Sequence, residues 1–318
     1  MQPVLRQQAF QVGQLPSPYL CTPMFTLDPK TLRTSELHSY MLSAIAPRPI
    51  AFASTIDKEG RPNLSPFSFF NAFGSRPPLL VFSPARRVRD NTTKHTFENV
   101  HEVKEVVINV VNYAMVQQTS LSSCEYPKGV NEFEKAGFTA IPSDIVRPFR
   151  VKESPVQMEC KVLQVIETGT EGGAANLIIC EILLMHISED VLTDDRKIDQ
   201  QKIDLVARMG ADWYCRASGP ALFRVPKPNQ KLGIGIDAIP GPIRHSKVLT
   251  GNDLGILGNV EVLPAHEEVA AFKGADMVIS IESLSKTKEE RSLALHRAAQ
   301  ELLRQGNVMD AWKLLLQE

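Results

Sequence analysis

The chain has 318 residues, 43% of them hydrophobic and 22% charged, with a formal net charge of −1. That length serves one large domain or two modest ones, and the near-neutral balance excludes a general field for nucleic acid or an acidic membrane. Five cysteines (Cys21, Cys124, Cys160, Cys180 and Cys215) fall singly with no C-x-x-C pair, which argues against a disulfide framework or a zinc site and for a reducing compartment, most of them serving as small core fillers.

The first forty residues are polar and proline-bearing, with one helical candidate in TSELHSYML. They lack the continuous apolar stretch of a secretory signal, and no run reaches the roughly 20 apolar residues of a membrane span. The expected location is therefore cytoplasmic, with the N-x-T sequon at Asn91 idle. A strand rich in β-branched and aromatic residues is predicted over 50–56, followed by a turn at DKEG. A second strand is predicted over 64–70. A third, over 79–82, follows the Pro77–Pro78 pair that pins how it begins. Residues 96–103 read as a short helix and 106–111 as a buried strand. Residues 112–155 are less regular, with helical character in AMVQQTSLSS and NEFEKAG. Two longer strands, 156–167 and 176–186, flank GTEGGAA, whose adjacent glycines supply the permissive backbone of a hairpin.

Strands of this number and spacing, with helices only at intervals, predict a mainly β fold: a closed or nearly closed antiparallel barrel. The crossovers are too few for a doubly wound parallel sheet. Near Pro226 the chain changes character, with VPKPNQ as a linker and LGIGIDAIPGP rich in Gly and Pro. Two helical patterns end it. Thr287 and Glu290 form a capping box ahead of the stripe Leu295, Ala298, Ala299, Leu302 and Leu303, which Gly306 stops. Val308, Ala311, Trp312, Leu315 and Leu316 form a second, shorter stripe. These stripes are expected to pack on the parent domain. The organisation expected is an N-terminal arm over 1–42, a barrel domain over 43–226, and a linker with a helical extension over 227–318.

Residues 46–99 carry the most chemistry. Arg86, Arg87, Arg89, Lys94, His95, Thr93 and Thr96 cluster where a helix should begin, and a helix N-terminus with adjacent cations favours a phosphate. Taken alone, a solvated basic loop with Thr96 as an ordinary N-cap explains this cluster as well. NLSPFSFFNAF interleaves Ser65, Ser68 and Asn71 with Phe67, Phe69 and Phe70. Buried hydroxyls and amides need partners, each unpaired group costing ~1–3 kcal/mol, and a heteroaromatic ring edge supplies them. A strand with its polar side in water is the plain alternative. Together the two segments point to a flat, polar-edged ligand that carries a phosphate, as flavin mononucleotide does.

APRPIAFAST, NLSPFSFFNAF, PPLLVFS, the K-x-T spacing of Lys94 and Thr96, and Asn99 together resemble the flavin reductase-like FMN-binding split-barrel proteins. That group includes flavoredoxins and the reductase components of two-component flavin monooxygenases. The resemblance covers about residues 43–223 and implies a Greek-key split barrel. It implies that Ser54, Thr55, Ser65, Pro66, Phe67 and Ser68 line the isoalloxazine, largely through backbone groups. Lys94 and Thr96 would hold the phosphate with Arg86 or Arg87 nearby, and Arg48 is a looser candidate for the flavin edge. The family's usual K-D-T reads Lys94-His95-Thr96 here, so a carboxylate is missing beside the phosphate. ADWYCR is similar to the family's closing aromatic segment, so Trp213 or Tyr214 could cover the site. A core or dimer-interface role for Trp213 is the plainer expectation.

The resemblance implies FMN as cofactor, NADH or NADPH as electron donor, a homodimer, and a monooxygenase component as a partner. The expected function is an NAD(P)H-dependent flavin reductase that passes a hydride from nicotinamide to flavin N5. An FMN electron carrier reduced by a protein partner, or a flavin-binding scaffold, are the alternatives. Other chemistries fare worse. HEEVAAF at His266 lacks the second His of H-E-x-x-H, and GIGID holds only part of a dinucleotide-binding fingerprint.

Overall fold

The computed structural model describes residues 24–228, 231–273 and 275–317. The predicted N-terminal arm lies, through residue 23, outside the described residues. Short apolar runs become the strands β1 (Ala51–Ile56), β2 (Pro62–Phe67), β3 (Phe70–Ser75), β4 (Pro78–Phe82) and β5 (Glu105–Val110). The two-residue strands β6 (Ala140–Ile141) and β7 (Arg150–Val151) make a small ribbon, and the long hairpin is β8 (Val156–Glu167) and β9 (Asn176–Ile187). A last ribbon joins β10 (Val206–Arg208) to β11 (Tyr214–Arg216). Seven of these strands form one sheet in the order β2-β1-β5-β8-β9-β4-β3, with every pairing antiparallel.

That order has a geometric consequence. β2 and β3 are the two edges of the sheet, yet only Ser68 and Phe69 lie between them in the chain. The edges must therefore meet at this corner, so the sheet curls into a barrel that is split there. Phe67 and Phe82 pack across the corner at 5.7 Å between ring centroids, and Ser83 N donates to Phe69 O at 2.9 Å. The single strand predicted over 64–70 is thus two strands. The break is set by the closing of the sheet, not by a local Gly or Pro. Pro62 and Pro66 fit β2 because it is an edge, where a missing N–H costs no ladder bond.

Period-two alternation divides β1 between two cores. Ala51 and Ala53 face the barrel interior with Leu80, Phe82, Ile108, Cys160, Ile178 and Cys180. Ile50 and Phe52 face a second layer with Leu64, Met115, Phe133 and Phe138. This outer layer is built on α3 (Val116–Leu121) and α4 (Glu132–Ala136), while α1 (Thr34–Ala44) and α2 (His95–Glu102) complete the helices of this unit. α4 also covers the free edge of β2, since Glu132 Oε2 accepts from Leu64 N at 3.0 Å. Such cover prevents edge-to-edge pairing.

The chain divides into two compact units, Thr26–Arg224 and a second built on Val225–Glu318. α1 belongs to the first, so residues 26–42 fall in the barrel unit. The second contains α5 (Gly241–Arg244), α6 (Gly251–Gly258), α7 (His266–Phe272), α8 (Asp276–Leu284), α9 (Lys288–Arg304) and α10 (Val308–Leu315). The two predicted stripes are α9 and α10; Thr287 and Glu290 form the expected box, and Gly306 takes φ +81°. The four earlier helices were not predicted: α5 and α7 are short, α6 is interrupted by glycines, and α8 has no motif that set it apart. Leu295, Ala299 and Leu303 pack with Trp312, Leu257 and Val278 in a core of the unit's own. No helix among the described residues is long and apolar enough to cross a membrane.

Candidate functional site

At the split corner lies an open cleft of about 380 Å³. One wall is Pro66, Phe67, Ser68 and Phe69, the end of β2 and its turn into β3, with His38 and Leu42 of α1 beside it. The other is Arg86, Arg87, Val88, Arg89 and Lys94, with Glu125 against the arginines. Six of the residues that the resemblance assigns to the flavin (Pro66, Phe67, Ser68, Arg86, Arg87 and Lys94) therefore share one cavity, together with Phe69 and Arg89. The volume lies within the range of small-molecule sites.

The basic loop is held open by specific contacts. Arg86 Nε donates to Asn91 Oδ1 and its Nη2 to Asn91 O, both at 2.7 Å. Asn91 stands at φ +57°, a left-handed position that Asn tolerates. Arg86 N donates to Ala174 O, and Gly173 N to Arg86 O, which ties the loop to the β8–β9 turn. Here the adjacent glycines have separate uses. Gly173 takes φ +95°, and a Cβ on Gly172 would sit 3.0 Å from Arg87 O. Arg87 Nη1 donates to Thr92 Oγ1 at 2.8 Å, and Arg87 Nε to Glu125 Oε1 at 3.0 Å.

Lys94 differs from these arginines. It is the N-cap residue of α2 and is partly buried, and its side chain makes no hydrogen bond or ion pair among the described residues. Burial, with the Arg87 guanidinium next in order, lowers its ammonium pKa. A cation desolvated beside other cations, and bonded to neither of the nearby carboxylates Glu125 and Asp90, is costly unless a ligand supplies a direct anion.

Other predicted residues lie behind this surface. α2 begins at His95, so Thr96 is inside the helix and not its cap. Its hydroxyl is buried and accepts from Asn63 Nδ2 at 2.8 Å. Asn63 Nδ2 also reaches Thr55 Oγ1 at 3.3 Å, which accepts from Asn99 Nδ2 at 3.2 Å. Thr55, Asn63, Thr96 and Asn99 thus form one buried network that fixes α2 on β1 and β2. Ser54 is adjacent to Thr55 but faces the other layer, by the alternation of β1, and its buried hydroxyl has no partner among the described residues. β1 pairs with β2 through Thr55 and with β5 through Ser54. Neither Ser54 nor Thr55 lines the cleft, and neither does Thr96.

Ser65 is half-buried on β2, across from Ala53, and is also outside the cleft lining. Arg48 is buried, and its guanidinium donates to Leu42 O, to Ile45 O and, at 2.8 Å, to Met209 O, with Ser68 Oγ at 3.5 Å. Burial, then Arg208, lowers its pKa. Arg48 therefore braces the end of α1 and the β10–β11 ribbon, and it is not among the residues that line the cleft. Trp213 is 76% exposed in the turn between β10 and β11, not in a core. His38, Leu42 and Glu125 were missed in the sequence, since each reaches the cleft from a segment with no motif of its own.

The donor set suits a phosphate-bearing flavin. Cations and an unpaired ammonium lie at one end of the cleft, and an apolar-faced strand end with a serine hydroxyl lies at the other. An antiparallel barrel split beside such a cleft defines a flavin-handling split barrel. Residues 42–201 match the flavin reductase like domain, and the chain belongs to that family. An uncharacterised protein of Aquifex aeolicus is 35% identical over 189 residues, 59% of this chain and 94% of its own length. The crystal structure of nitrilotriacetate monooxygenase component B from Bacillus cereus superposes with a TM-score of 0.60 at 26% identity, covering 64% of this chain and 100% of that one. A split-barrel protein from Shewanella frigidimarina gives 0.53 at 29% identity, over 62% of this chain and 95% of its own.

Proposed function

We propose that this protein is an FMN-binding oxidoreductase that takes a hydride from NADH or NADPH. The observation that carries this is Lys94: a partly buried ammonium with no anion of its own, in one cleft with Arg86, Arg87 and the Pro66–Ser68 wall. Lys94, with the guanidinium groups, binds the phosphate by charge-assisted hydrogen bonds. Pro66 and Phe67 offer an apolar surface to the ring, and Ser68 a hydroxyl at its edge. Bound FMN supplies the electron-accepting chemistry, and the chain's own groups bind and orient. Hydride transfer needs no general acid or base, so the chain's part is binding and orientation.

The reading extends to a cytoplasmic homodimer. Leu183, Met185 and Ile187 alternate along β9 and are all exposed, an apolar stretch of one sheet face open among the described residues. A second copy of the chain is the natural cover for such a face. Sedimentation of the purified protein at twice the monomer mass is the expected result.

The function is tested by loading the purified protein with FMN without oxygen and adding NADH or NADPH. Rapid bleaching of the flavin absorbance is expected. Bleaching only with a protein donor would make this an electron carrier, which could in turn serve an oxygenase partner. A protein that takes up no FMN would remove both readings.

A further inference from the structure

Glu125 lies on the cationic side of the cleft, where a phosphate would have to sit. It follows α3 in a segment remote from the basic loop in sequence, yet its carboxylate bridges two of that loop's arginines. Oε1 accepts from Arg87 Nε at 3.0 Å, and Oε2 accepts from Arg89 Nη2 at 2.6 Å. Its side chain is 43% exposed, and it lines the same cleft as Lys94, Arg86 and Ser68. Arg89 beside it holds its carboxyl below the usual carboxylate range, so it is charged at neutral pH.

Resting on the assignment of this cleft to FMN, we propose that Glu125 is an internal stand-in for the flavin phosphate. It satisfies Arg87 and Arg89 in the free protein and is displaced from them as the nucleotide binds. Three points support displacement. A phosphate dianion and a carboxylate on the same guanidinium groups repel each other, and the phosphate offers more acceptor oxygens in a fork that suits arginine. Exposed ion pairs are individually weak, so the exchange is easily reached. The Glu125 side chain is open to solvent on one side and has water to enter when released. Lys94 makes no such pair, so it is free to meet the phosphate first.

The consequence is selective. Glu125 burdens only ligands that bear the phosphate, lowering FMN affinity while leaving riboflavin untouched, and so favours release of the nucleotide. A carboxylate that merely braced the arginines would have the opposite effect on FMN.

Titrations of the full chain with FMN and with riboflavin, read by flavin fluorescence, separate these cases. Glu125→Gln should bind FMN about threefold tighter than wild type, with riboflavin affinity unchanged. Glu125→Asp keeps the charge and should stay within a factor of two of wild type, by about the same reasoning. Weaker FMN binding in Glu125→Gln, or equal shifts for FMN and riboflavin, overturns the proposal while leaving the cleft assignment in place. If wild type itself takes up no FMN, the assignment fails and the proposal fails with it.

Discussion

The two units of this chain bury different things. In the barrel unit, Arg48, Ser54, Thr55, Asp57, Asn63, Thr96, Asn99, Asn109, Glu132, Gln157, Glu159 and Asn176 are all buried. In the helical unit, Asp253 and His296 are the buried polar residues among those described. The helical core is leucine, isoleucine, alanine, one valine and one tryptophan, held by packing. The barrel has an apolar interior too, but its corners and helix attachments are fixed by hydrogen-bonded side chains. Apolar packing tolerates shape changes of equal volume, whereas a buried amide or carboxylate fixes direction. The unit that holds a ligand cleft is the one built from directional contacts.

Substitutions can break this contrast, and the largest effect belongs to packing. Trp312 is fully buried and its indole Nε1 donates to Leu257 O at 3.1 Å. Trp312→Ala should cost about 3–5 kcal/mol, read as an earlier loss of helical circular dichroism in a urea titration. A loss below 1 kcal/mol, about the effect of a surface change, would mean that this core is not packed as described.

The next effect belongs to Glu159, a carboxylate with no accessible surface. Burial alone would raise its pKa. The N–H groups of Asp144, Ile145 and Val146, together with His186 Nε2 at 2.7 Å, outweigh burial and hold it below the ordinary range. Glu159→Gln should cost about 2 kcal/mol at neutral pH. The sign follows from linkage: a carboxyl depressed in the folded state stabilises above its unfolded pKa, and that gain is lost as pH falls through the folded value. The difference between wild type and variant should therefore be full at neutral pH and shrink below the ordinary carboxylate range. A difference independent of pH would assign the loss to shape and not to charge.

The smallest effect sharpens the site. Lys94→Met keeps much of the side chain's length and apolar bulk and removes the charge. FMN affinity should fall about tenfold, the worth of one charge-assisted hydrogen bond, with riboflavin affinity unchanged in the same fluorescence titration. Equal losses for both ligands would place Lys94 away from the phosphate.

Much of this was legible in the residues. The long hairpin, the turn at DKEG and the helix after the basic loop follow from period-two patterns, glycine and local polarity. Lys94, Arg86 and Arg87 meet Pro66–Ser68 as the composition of residues 46–99 suggested. What could not be read depends on distance in the chain. Nothing local marks the break at Ser68–Phe69, because it exists only where the two sheet edges meet. Ser54 and Thr55 look alike as neighbours, but a strand sends them to opposite faces. Thr96 carries a hydroxyl near the basic loop, yet Asn63, on another strand, has already engaged it. Glu125 is contributed by a turn after α3 with no signature of its own. The helices α5 and α6 were hidden by glycines that usually mark loops, and α7 is only seven residues long.

The two-residue corner between β2 and β3 has one more consequence. Most barrels are sewn shut along the whole length of a strand pair, whereas this one is fastened at a single stitch, with the ligand cleft opening beside it. A guest touching Ser68 on one margin and the basic loop beyond β4 on the other would act as the missing thread. Amide exchange along β3 would then slow on loading, and a bound nucleotide would tighten the wall.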